Sequence, residues 1–127
     1  MAKEKKPAVK KAPKDPLNEL IIATILDKKG DHINLLDLRG LDGPADYFIV
    51  CEADNITLTK ALSDHIYREV KTKLGVTPNH TEGEAQAKWI LMDYFTTLVH
   101  IFYRDTRKYY EIDQLWSDAK TVEFHQV

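Results

Sequence analysis

Residues 82–116, EGEAQAKWILMDYFTTLVHIFYRDTRKYYEIDQLW, hold most of the aromatic residues of a 127-residue chain and its longest apolar runs. Two strand-like segments lie back to back in this stretch. Trp89–Tyr94 and Leu98–Tyr103 are rich in β-branched, aromatic and long apolar side chains, and Phe95, Thr96 and Thr97 between them suffice for a tight connection. The pair reads as a hairpin. Neither run shows strict apolar/polar alternation, which predicts strands covered on both faces. Asp93 and His100 interrupt the runs, and because a buried ionisable group needs a partner, they are expected to bond each other across the hairpin. After Tyr103 the period changes. Ile112, Leu115, Trp116 and Ala119 fall at i, i+3, i+4 and i+7, one face of a short closing helix.

Working outward, residues 1–16 (MAKEKKPAVKKAPKDP) are Lys, Ala and Pro with almost nothing to bury, and they read as a disordered basic tail. Pro16 suits the first turn of a helix whose apolar stripe is Leu17, Leu20, Ile21 and Ile25, ending at Gly30. His32–Leu38 and Asp46–Glu52 read as strands separated by the turn residues Gly40, Asp42, Gly43 and Pro44. Asp54 or Asn55 can cap a second helix, in which Leu58, Leu62, Ile66, Val70 and Leu74 recur every four residues until Gly75. A short edge strand is expected around Asn79–Thr81. The predicted fold is α/β (α+β), a single mixed sheet of four to five strands flanked by helices. The folded domain is expected to span residues 17–121, with 122–127 as a C-terminal tail.

One cysteine, Cys51, excludes an internal disulfide and a cysteine-based zinc cluster, which fits a cytoplasmic protein. No run approaches the roughly 18 apolar residues of a membrane span. Charge is unevenly placed. Residues 1–16 carry six Lys against Glu4 and Asp15, and the remainder carries twelve basic against eighteen acidic residues, so the tail is +4 and the body −6. An acidic body is a poor general binder of phosphate backbones and suits a basic protein surface. The basic tail could make a peripheral contact with RNA while the body is docked.

Catalytic chemistry is poorly represented. Glu52-Ala53-Asp54 has the spacing with which two carboxylates reach one divalent metal in nucleotidyl transfer, but no phosphate-cradling turn precedes it, so a strand end followed by a helix cap is the expected reading. The histidines at 32, 65, 80, 100 and 125 are scattered. His80-x-Glu82 sets a histidine near a carboxylate on a loop, two ligands that do not make a site, and neither a metal nor a cofactor is expected. Cys51 lies in an apolar strand and reads as inert. What remains is surface. Trp89, Tyr94, Phe95, Tyr110, Leu115 and Trp116 beside Asp93 and Glu111 are the expected partner-binding residues, an aromatic patch with an acidic rim.

The run EG, then W, LMDY, VHIF and TRKYYEIDQLWSDA, continued upstream by LLDLRGLDGPADYFIVCE, resembles the ribosomal silencing factor family, also called RsfS or Iojap-like. The resemblance covers residues 17–121. It departs from the family in two loops: Phe95-Thr96 stand where members commonly have Gly-Asp, and Ala53-Asp54-Asn55 where they have a Gly-Thr-Ser-like turn. The resemblance implies a nucleotidyltransferase-like fold without catalysis. It also implies binding to the large ribosomal subunit through that subunit's ribosomal protein fourteen, a steric block on joining of the small subunit, and repression of translation when nutrients are scarce. A metal-dependent nucleotidyltransferase-like enzyme using Glu52 and Asp54, or a self-associating module that is a homodimer when free, are the alternatives.

Overall fold

The computed structural model describes residues 15–126. Helix α1 (Pro16–Asp27) starts where Asp15 accepts backbone hydrogen bonds from Leu17 (3.0 Å) and Asn18 (3.2 Å), with proline in the first turn. Strand β1 (Asp31–Asp37) pairs antiparallel with β2 (Tyr47–Ala53). Asn55, not Asp54, caps α2 (Ile56–Leu74) by accepting from Leu58 N at 2.8 Å, and Gly75 ends the helix in the left-handed conformation. Short β3 (His80–Glu82), β4 (Trp89–Asp93) and β5 (Thr97–Tyr103) follow, then α3 (Arg104–Tyr110), the single turn α4 (Ile112–Leu115) and β6 (Lys120–Phe124).

These strands form one mixed sheet in the order β3-β4-β5-β2-β1-β6, in which only β2 and β5 are parallel. Its two faces are unequally covered. On one face α1 and α2 bury Ile21, Ile25, Leu62, Ile66 and Val70 against Ile33, Leu35, Ile49, Ile90, Met92, Val99 and Ile101, the main core. The other face buries Leu36, Leu38, Phe48, Val50 and Phe102 beneath Ile112, Ala119 and Trp116. The short α3–α4 segment covers only part of this second face.

Several expectations change. The sheet has six strands, because residues 120–124, the last three of them expected in a C-terminal tail, pair with β1 from Ile33↔Phe124 to Asp37↔Lys120. The closing helix is broken: Glu111 takes φ 49°, which separates α3 from α4, and only Ile112 of the predicted stripe is buried within a helix. Strand β4 is covered on one face only. Ile90 and Met92 are buried while Trp89, Leu91 and Asp93 are half-buried, a period-two pattern that the apolar Leu91 conceals in the sequence. His100 does not pair with Asp93. Its Nδ1 lies 3.2 Å from the indole Nε1–H of Trp89, while Asp93 accepts from the backbone of Phe95 at 2.8 Å.

Candidate partner-binding surface

The half-covered face is built by register. Across the sheet, Phe48, Leu98 and Asp93 form one row, Val50, His100 and Leu91 a second, and Glu52, Phe102 and Trp89 a third. Paired residues share a face, so these three rows are one surface. Phe102 is fully buried at its floor, with Trp89 stacked on it at 4.9 Å and Tyr110 tilted over Trp89 at 4.8 Å. Tyr109 meets Tyr110 edge-on at 5.0 Å and is 80% exposed. Below Trp89 the side chains of Lys88, Tyr103, Asp105, Tyr109 and Tyr110 frame an open groove of about 560 Å³. At the other end Trp116 packs edge-on against Phe48 at 5.8 Å.

His100 sits between these rings, 4.5 Å from Phe48 centre to centre. Burial pulls its pKa down to about 4, with Asp113 pulling weakly the other way, so the ring is neutral at pH 7. A neutral imidazole can accept the indole hydrogen bond on Nδ1, and that bond fixes the orientation of Trp89.

The α3–α4 segment owes its position to Arg107, which is 9% exposed. Its guanidinium donates to both oxygens of Asp113 (3.1 and 3.2 Å), to Glu52 Oε1 (3.1 Å) and to the carbonyl of His32 (2.6 Å). Burial works to raise the pKa of Asp113, but hydrogen bonds from Arg107 and Asn34 outweigh it and hold the carboxyl below its usual value. The arginine therefore ties α3 and α4 to β1 and β2.

Of the expected partner-binding residues, this surface gathers Trp89, Asp93, Tyr110, Glu111, Leu115 and Trp116. Trp89 and Trp116 are half-buried supports; Tyr110 (52% exposed) and Leu115 (76%) are the outward groups. Tyr94 is not part of it. Being an odd number of residues from Trp89, Tyr94 points into the opposite core and is 2% exposed, with its hydroxyl pushed to a pKa of about 12 by burial. Phe95 lies at the hairpin tip, 66% exposed, with φ 71°. A bulky residue in the left-handed region is strained, and here the amide of Phe95 is held by the Asp93 carboxylate.

Arg107, Leu91 and Leu98 carry no signal of a surface role in the sequence. Tyr109 belongs to the same crowd of aromatic residues in the sequence but not to the expected partner-binding set, and it is the most exposed of them. The acid pair is split between two arginines: Glu52 bonds Arg107, and Asp54 bonds Arg104 at 3.0 Å. Among the described residues, the group of histidines and carboxylates that converges closely enough for a metal is Asp31, His32 and His125. No helix among them is long and apolar enough to cross a membrane.

Comparison with known proteins places this geometry in context. The family model RsfS, ribosomal silencing factor during starvation, matches residues 10–127. The ribosomal silencing factor RsfS of Halalkalibacterium halodurans is 33% identical over 111 residues, covering 87% of this chain and 94% of that protein. The RsfS of Bacillus subtilis is 34% identical over 96 residues, covering 73% and 78%. A crystal structure of a Chromobacterium violaceum protein superposes with a TM-score of 0.76 at 31% identity, covering 80% of this chain and 83% of that one.

Proposed function

The chain belongs to the ribosomal silencing factor family, whose role is ribosome-associated silencing, and from that premise we propose that it binds the large ribosomal subunit through the half-covered face of its sheet. Ribosomal protein fourteen of the large subunit is the proposed partner, and the consequence is steric: a domain seated there blocks joining of the small subunit and represses translation when nutrients are limiting. Its place of action is the cytoplasm. The observation that carries the reading is the exposed Tyr110 and Leu115 with the half-buried Leu91 and Leu98 around the Trp89–Phe102 stack, beside Asp93 and Glu111. An apolar centre with an acidic border fits a basic protein surface better than an RNA backbone. The rings hold the partner and the acids steer it.

Catalysis is not needed. Glu52 and Asp54 are each engaged by a different arginine, Arg107 and Arg104.

Cosedimentation of the full chain with purified large subunits, followed by light scattering as small subunits are added, tests the proposal. Pelleting with large subunits and a dose-dependent loss of joining are expected. Failure to pellet at micromolar concentration, or pelleting without any effect on joining, would overturn it.

A further inference from the structure

We propose that Asp31, His32 and His125 form a zinc site that fastens the end of β6 to the start of β1. Adjacent residues of a regular strand point to opposite faces, so Asp31 and His32 would not ordinarily share a ligand. Here the register of β1 against β2 slips between Asp31 and Asn34, and His32 takes φ 47°. The bulge turns both side chains to one side. Strand β6 pairs with β1 at Ile33↔Phe124, which brings His125 beside His32, with ring centres 5.9 Å apart and planes at 84°. One ligand atom from each of the three lies within 4.8 Å of the other two.

The supporting bonds favour a ligand role. Oδ1 of Asp31 accepts from the backbone amides of His32 (2.8 Å) and Gln126 (3.1 Å), which fixes the carboxylate beside the two histidines. Gln126 in turn donates to the carbonyls of Leu26 and Gly30, both at 2.8 Å, anchoring the chain just after His125. Metal ligands are oriented in this way by a surrounding set of hydrogen bonds. The carboxylate of Glu123 lies 3.6 Å from His125 Nε2, and with His32, His125, Glu52 and Arg107 it lines an open cavity of about 310 Å³ next to the three ligands.

Zinc bonds of about 2.0–2.1 Å require ligand atoms a little over 3 Å apart, so the side chains must draw in by about an ångström. His125 is more than half exposed and free to do so. Two imidazoles with one or two carboxylates suit zinc and its late first-row neighbours, whereas magnesium and calcium select all-oxygen sets. His125 lies 93 residues beyond His32 in sequence, which is why spacing alone gave no sign of a site.

Calorimetric titration of the chelator-stripped full chain with zinc chloride provides the test. One zinc per chain is expected, with a Kd in the low micromolar range, no heat from magnesium chloride, and a melting temperature raised by about 5 °C or more at hundredfold excess. His125→Ala should weaken binding at least tenfold. So should His32→Gly, which removes the ligand while glycine accepts the positive φ. His80→Ala, at the separate His80–Glu82 pair 2.9 Å apart, should change nothing. Absence of saturable zinc binding below about 100 μM would overturn the proposal. Binding that survives both His125→Ala and His32→Gly in folded protein, or that is lost with His80→Ala, would do so equally.

Discussion

Replacing Arg107 with methionine keeps most of the side-chain volume and removes the charge, which isolates what the guanidinium does. Four bonds disappear: two to Asp113, one to Glu52 and one to the carbonyl of His32. Removing one partner of a fully buried ion pair costs about 3–5 kcal/mol, because the other charge is left without compensation. Here Glu52 is 15% exposed and nearly reaches that limit, but Asp113, at 32%, can recover part of its hydration. A loss of about 2–3 kcal/mol at pH 7 follows, measured as a lower urea midpoint with an unchanged slope. The pH dependence supplies an independent check. Asp113 has a folded pKa held below the ordinary aspartate value of 3.8, so its contribution is present above that value and is lost as pH falls through the folded one. The gap between wild type and Arg107→Met should therefore narrow once pH drops below about 3.8. A gap under about 1 kcal/mol at pH 7, or one that does not narrow in acid, would refute the view that Arg107 clamps α3 and α4 to the sheet. Because α3 and α4 carry Tyr110 and Leu115, the folded variant should also bind large subunits more weakly.

The remaining predictions concern the surface itself. Tyr110→Ala and Leu115→Ala should each weaken large-subunit binding by about tenfold or more in a pelleting assay while leaving the melt nearly unchanged, since both side chains are over half exposed. Phe95→Gly should relieve the strain at φ 71° and so raise the urea midpoint or leave it level, yet reduce binding; a variant that binds as wild type would remove the hairpin tip from the interface. His100 titrates near 6.5 when unfolded and about 4 when folded, so its neutral form contributes stability that is complete above pH 6.5 and lost as pH falls through 4. His100→Gln should flatten the stability-against-pH curve in that window, where wild type loses at most about 3 kcal/mol; identical slopes would show that another group is responsible.

Much of the fold is legible where apolar spacing is regular. The stripe Leu62, Ile66 and Val70 and the stops at Asn55 and Gly75 define α2 in the sequence as they do in the structure. Strand β6 was not legible, because KTVEF offers only Val122 and Phe124 to bury, and its identity depends on β1 supplying hydrogen bonds from far away in sequence. The helix α3 was equally hidden: it has no apolar stripe, and an arginine rather than a leucine faces the sheet. No periodicity rule identifies a helix held by one guanidinium.

The misreading of β4 has a physical cause that bears on the site. Leu91 is apolar on the side where a one-sided strand should be polar, so WILMDY reads as a strand covered on both faces, and Tyr94 passes for an outward group when it belongs to the core. Neither α3–α4 nor any other described element covers Leu91 or its neighbour Leu98 fully. An apolar row left half-covered beside a rigid aromatic stack gains by burial against something outside the domain, at roughly 25 cal/mol for each Å² removed from water. Sequence pattern reports only that such a row is apolar. It takes the sheet register and the shortness of α3–α4 to show that nothing within the described chain finishes covering it, and the residues that obscured the alternation are those the proposed ribosomal partner would cover.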